Sequence, residues 1–247
     1  MREKFLEYVK NFEIDGKLPE MMELKKIHTF KVVEASSIIS ERENFSPEAR
    51  HSAIIAATLH DVGRFEQLKK YGTFQDSKSI DHAVFSHDIV VKEGWLDDDP
   101  RREAILKAIL YHNRRELPEG LDELTSLTAK CVRDADKLDI FRVLEELIAN
   151  SRWREDRSAF WNLAINEKPN PEVVDAISRG ESVDYQAIKS LADFILIQVG
   201  WIKNDLYFSS SRSLAMERRH YEFRRKFLLE LVQFDIDSIF ERCCSEN

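Results

Sequence analysis

Apolar residues along this chain recur at three- and four-residue steps, and alternating segments bounded by turn residues are scarce. The pattern predicts an all-α chain. Pro19, Pro47 and Pro100 each stand where a helix can begin, with Ser46 and Asp99 directly before the latter two as capping side chains. They predict helices of about residues 19–40, 47–62 and 100–116, and a fourth is expected over about 123–150. The segment NEKPNPEVVDAISRGESVD then breaks the pattern with two prolines and a glycine, and reads as a boundary or an inserted lid. Beyond it a long apolar helix is expected near 185–208 and a charged amphipathic one near 211–232. The chain thus divides into a helical core, residues 1–150, and a helical extension, residues 151–247, expected to pack on that core. No internal repeat or low-complexity tract stands out.

Several apolar stripes carry a titratable side chain. Met21, Leu24, His28, Val32, Ala35 and Ile39 step by three and four, so His28 is expected to be buried with them. On the next helix His60 lines up with Ala53, Ala56 and Ala57, and Asp61 lies beside it over Ile54 and Ala57. Those small residues let another backbone come close, and Gly63 reads as the C-cap of that helix. His112 shares a face with Ile105, Ala108 and Ile109, and Asp134 shares one with Leu127, Cys131, Leu138 and Phe141. A buried carboxylate needs a partner, and no Lys or Arg stands on these stripes. Imidazoles and carboxylates converging without a fixed cation suit a divalent transition metal. A lone histidine on an apolar face is more often a hydrogen-bonded core residue than a ligand, so it is the set that carries this reading. Asp61 also sits in the last turn of its helix, where the dipole disfavours an acid without a separate job.

Composition narrows the classes. With 247 residues, 43% hydrophobic, 33% charged, and only 7 Gly and 6 Pro, the chain suits a helical protein with a substantial core. The net charge of −8 argues against broad nucleic-acid binding. Cys131, Cys243 and Cys244 make neither a disulfide framework nor a zinc motif, and fit a reducing cytoplasm. The start, MREKFLEYVK, lacks the apolar core of a signal peptide. The most apolar window, LADFILIQVGWI, is shorter than a membrane span and carries Asp193 and Gln198, so a buried helix is expected.

The words KKIHTFKVVEAS, AATLHDVGRFEQ, DHAVFSH, ILYHN and VRDADKLD follow one another in an order and at separations that resemble the HD-domain superfamily of metal-dependent phosphohydrolases. The resemblance covers about residues 20–150; residues 151–247 look like the helical extension of some small bacterial members. It implies a helical bundle with a metal at its centre, held by His28, His60, Asp61 and Asp134. His82 and His112 stand where some branches hold a second metal, with Asp61 bridging. His87 lies five residues from His82, about 140° round a helix, so it is assigned to the substrate side or to supporting a ligand. Asp136 and Asp139 are read as supporting or surface residues.

The activity implied is attack by a metal-activated water on a phosphomonoester or phosphoanhydride, of a nucleotide in the leading reading. Asp61, Arg64 and Lys137 are the expected catalytic residues, with Arg64, His87, Arg114 and Lys137 on the substrate side. The basic runs Arg218-Arg219 and Arg224-Arg225-Lys226 read as solvated helix faces. One or two divalent ions are expected, with Fe, Mn, Ni, Co, Zn and Mg not distinguished. The partner expected is a small phosphorylated molecule, without nucleic acid or membrane, from a monomer or a homodimer. Two other readings stay open: a nucleotide-binding sensor that keeps the metal without turnover, and a metal-free helical scaffold. A cyclic-dinucleotide diesterase is disfavoured because the chain lacks the Gly-Tyr-Pro element of that branch, and a guanosine tetraphosphate hydrolase because Phe65-Glu66-Gln67 supplies one acid where that group carries two.

Overall fold

The computed structural model describes residues 1–150, 154, 160, 163–165 and 167–232. Among them there is no strand, only helices and two isolated bridges, so the all-α expectation holds. The chain divides into two compact units, Met1–Asp139 and Ile140–Asn247, and the division falls inside a long helix instead of after it. No helix of the described residues is long and apolar enough to cross a membrane.

The first unit contains α1 (Arg2–Lys10), α2 (Glu20–Arg42), α3 (Pro47–Leu59), α4 (Gly63–Tyr71), α5 (His82–Lys92), α6 (Arg102–Tyr111) and the start of α7 (Glu123–Ala149). Local chemistry sets the boundaries. Ser46 accepts a hydrogen bond from the Ala49 N–H at 3.1 Å, and Pro47 takes the first helical position, where its missing N–H costs nothing. Asp81 caps α5 in the same way through the N–H groups of Ala83 and Val84. Asp99 differs from its expected role: its carboxylate accepts from the backbone and guanidinium of Arg101, and α6 starts only at Arg102.

Helix α3 lies against α2 and α6, and α5 against α4 and α6. Its Ala53, Ala56 and Ala57 have no exposed surface, as close helix packing requires. On α7 every residue from Cys131 to Ala135 is buried, so the helix has no outward face there. The stripe of His28 is shifted at its start, where Met22 is buried and Met21 is exposed.

In the second unit, α9 (Leu191–Gly200) is buried at every residue and runs into a π-helical turn, Trp201–Asp205. Helices α8 (Pro171–Ser178) and α11 (His220–Val232) pack on it, with Val173, Ile177, Leu196, Phe227 and Leu228 in the core. Asp193, the acid inside the apolar window, forms a capping box with Ser190 and also accepts from the N–H groups of Asn170 and Lys189. The expected single helix near 211–232 is two, α10 (Ser209–Glu217) and α11, because Arg219 takes a positive φ of 60° between them. Arg224 is not a solvated residue. Its guanidinium is buried over the Phe141 ring and donates to Gln198, Glu145 and the Phe141 carbonyl. Burial lowers its pKa to about 10. Cys131 is a buried free thiol; Cys243 and Cys244 lie outside the described residues.

Candidate metal centre

Four imidazoles from four elements converge in the first unit: His28 on α2, His60 just after α3, His82 opening α5 and His112 just after α6. All four are buried. Each has its Nδ1 engaged by an acceptor. His28 Nδ1 lies 2.7 Å from Asp139 Oδ2 and His82 Nδ1 2.5 Å from Asp76 Oδ2. His60 Nδ1 lies 2.8 Å from the Ala57 carbonyl and His112 Nδ1 2.7 Å from that of Ile109. An acceptor on Nδ1 fixes the tautomer of a neutral imidazole and leaves a bare lone pair on Nε2.

The four Nε2 atoms face one another in two pairs. His28 and His60 bring their Nε2 atoms to 3.4 Å, and His82 and His112 bring theirs to 3.0 Å. Two lone pairs at such distances repel unless a cation or a proton stands between them.

Asp61 sits between the two pairs. Its Oδ2 lies 3.6 Å from His28 Nε2 and 3.7 Å from His60 Nε2; its Oδ1 lies 3.7 Å from the Nε2 atoms of both His82 and His112. Oδ1 is buried and has no hydrogen-bond partner among the described residues. Asp136 completes the first group, with Oδ1 3.1 Å from His28 Nε2 and 3.8 Å from His60 Nε2. Donors bound at about 2.1 Å to one ion stand roughly 3 to 3.5 Å apart. The separations here, 3.0 to 3.8 Å, match that spacing to within a few tenths of an ångström. Both groups, His28 with His60 and Asp136, and His60 with Asp61 and His112, have the donor set and the separation that a divalent ion requires.

Several sequence expectations need correction. Asp134 is buried on α7, but the carboxylate that reaches His28 is that of Asp136. Two residues along a helix turn the side chain by about 200°, so only one of the two acids can face the imidazoles. The signal was available in the row Ala129, Val132, Asp136, Asp139, which steps by three and four and ends on two acids facing His28.

The second correction concerns charge. A cation is present, since Lys25 Nζ lies 2.7 Å from Asp61 Oδ2. Lys25 precedes His28 by one helical turn, a spacing that could have revealed it. Burial works to raise the Asp61 pKa, but Lys25, His60 and Arg64 outweigh it and hold the carboxyl well below its usual range. Burial lowers the His60 pKa to about 4, so that ring is neutral at pH 7. For His28, burial and Lys25 work downward, but the carboxylates of Asp136 and Asp139 prevail and raise its pKa.

Arg64 does not stand free. Its Nη1 donates to Gln67 Oε1, the Phe74 carbonyl and Asp76 Oδ1 at 2.8, 2.7 and 3.0 Å, and its Nε lies 3.4 Å from Asp61 Oδ1. Through Asp76 it also braces His82, and these partners together pull the Asp76 pKa to about 2 against burial. Gly63 is not a C-cap. It opens α4, and a Cβ there would stand 2.7 Å from the backbone nitrogen of Ser86, so the missing side chain lets α5 come close.

His87 stays outside the cluster, paired with Asp88 at 3.0 Å. Arg114 is half-exposed, 3.9 Å from Asp81. Lys137 follows Asp136 on α7 and is partly buried. Arg133 was not singled out by sequence: buried, it donates to the carbonyls of Tyr111, Arg114 and Arg115 and ties the turn after His112 to α7.

Residues 26–140 match the family model described as HD domain, and the match spans every donor in both groups. Comparison with curated proteins and with solved structures gave no match. The order of the histidines and aspartates, their convergence and the family match agree, and residues 26–140 of this chain are an HD domain.

Proposed function

We propose that this protein hydrolyses a phosphomonoester or phosphoanhydride of a small molecule, a nucleotide in the leading reading. His28, His60, Asp61 and Asp136 would hold one divalent ion, and Asp61, His82 and His112 a second. The observation that carries this reading is the two pairs of opposed Nε2 atoms with the two oxygens of Asp61 between them. A divalent ion bound there supplies Lewis acidity, which lowers the pKa of water and polarises a phosphoryl oxygen.

The protein's own groups do the rest. Asp139 and Asp76 orient the rings of His28 and His82, so the donors need little rearrangement. His60, neutral at pH 7, offers its lone pair without first losing a proton. Arg64 holds Asp61 and Asp76 in register and neutralises part of the carboxylate charge. Lys137, Arg114 and His87 remain assigned to the substrate side.

The test is a screen of phosphomonoesters and nucleotides with added Mn, Fe, Co, Ni, Zn or Mg, with Asp61→Ala as control. Turnover by the wild type and its loss in Asp61→Ala, together with loss of bound metal, is the expected result. Hydrolysis that survives in Asp61→Ala sinks the proposal; metal and nucleotide binding without cleavage would favour the sensor reading instead.

A further inference from the structure

Two cations border the candidate metal centre, and the protein holds them differently. Arg64 is committed: three acceptors, Gln67, Phe74 and Asp76, share its Nη1. Lys25 is held through one carboxylate oxygen. Its Nζ donates to Asp61 Oδ2 at 2.7 Å and lies over the face of the Phe74 ring, 5.6 Å from the centroid. Its side chain is 17% exposed while that of Asp61 is 3% exposed, so the lysine side chain reaches solvent where the carboxylate does not. A lysine is a compact charge on a flexible stem, free to swing while its backbone stays fixed in a helix.

The oxygen that Lys25 holds is the one that faces His28 and His60. A divalent ion taking its place among those donors would bring like charges onto one buried oxygen, where repulsion is strong. The ammonium would then have to leave, and solvent, which its side chain already reaches, is the direction open to it.

Building on the metal-dependent reading above, we propose that Lys25 is an exchangeable counter-ion. It neutralises Asp61 in the metal-free protein, is displaced when a divalent ion binds Oδ2, and then binds the phosphoryl oxygens of the substrate. The site thereby carries a compensating charge in both states.

The experiment compares wild type with Lys25→Met, titrating Mn²⁺ into chelator-treated protein by calorimetry and then inorganic phosphate into the Mn²⁺-loaded protein. Lys25→Met is expected to bind Mn²⁺ about tenfold more tightly, because no ammonium competes, and phosphate about tenfold more weakly. Lys25→Arg, which keeps a cation, is expected to hold phosphate to within about threefold of wild type. If Lys25→Met does not fold, judged by circular dichroism, Lys25→Gln takes its place under the same criteria. Unchanged or weaker Mn²⁺ binding, or unchanged phosphate binding, overturns the inference while leaving the metal-dependent reading standing. A wild type that takes up no divalent ion defeats that reading and this inference together.

Discussion

Asp134 and Asp136 differ by two positions on one helix, and the rotation between them decides which can meet an imidazole. Asp136→Asn is expected to weaken metal binding by about 100-fold or more, because it removes a charged donor from the His28 and His60 group. Asp134→Asn is expected to leave the metal stoichiometry unchanged. Metal analysis of the two variants after dialysis checks the pair, and metal loss from Asp134→Asn alone would reverse the assignment. The inward histidines were legible because each sits on a stripe whose other members are apolar. The choice between the two acids was harder, because Asp134 stands on an equally apolar row, Leu127, Cys131, Asp134 and Leu138, and periodicity offers both rows without ranking them. Lys25 was passed over although it stands one helical turn before His28, because the spacing alone does not show that its Nζ reaches Asp61 on another element.

Among the elements, α2, α3, α6, α7 and α9 showed in the sequence, while α1, α4, α5 and α8 did not. Helices α1 and α4 span nine residues each, too few turns for a stripe to stand out. Helix α8 has 8 residues and lies within the stretch read as a boundary or an inserted lid, where Asn170 and Pro171 are its N-cap and first position. Gly63 was misread for a similar reason: a glycine after a helix signals a C-cap as readily as a close approach, and only the neighbouring backbone tells them apart. Gly63→Ala is expected to destabilise the protein by about 1–3 kcal/mol, as α5 is pushed from α4. It should also weaken metal binding, because His82 begins α5. Urea unfolding and metal titration of this variant measure both effects; a stability equal to wild type would show that the approach of Ser86 carries no weight.

For the molecule as a whole, two units joined within one helix need not unfold in one step. A bound metal favours the folded form of the unit that holds it. At a free concentration about 100 times its Kd it adds about 2.7 kcal/mol, or roughly 5–10 °C in the Tm of Met1–Asp139. Scanning calorimetry with metal and with chelator is expected to show that rise, and superimposable traces would count against a metal centre. The way the four rings are anchored also bears on how this protein can diversify. His60 and His112 lean on carbonyls of their own helices, which no side-chain mutation removes. His28 and His82 lean on Asp139 and Asp76, which a single codon change can replace. Each half of the site thus pairs one inherited, invariant anchor with one that selection can adjust, so ring basicity, and with it metal preference, can drift in descendants of this chain without loss of the helices that carry the rings.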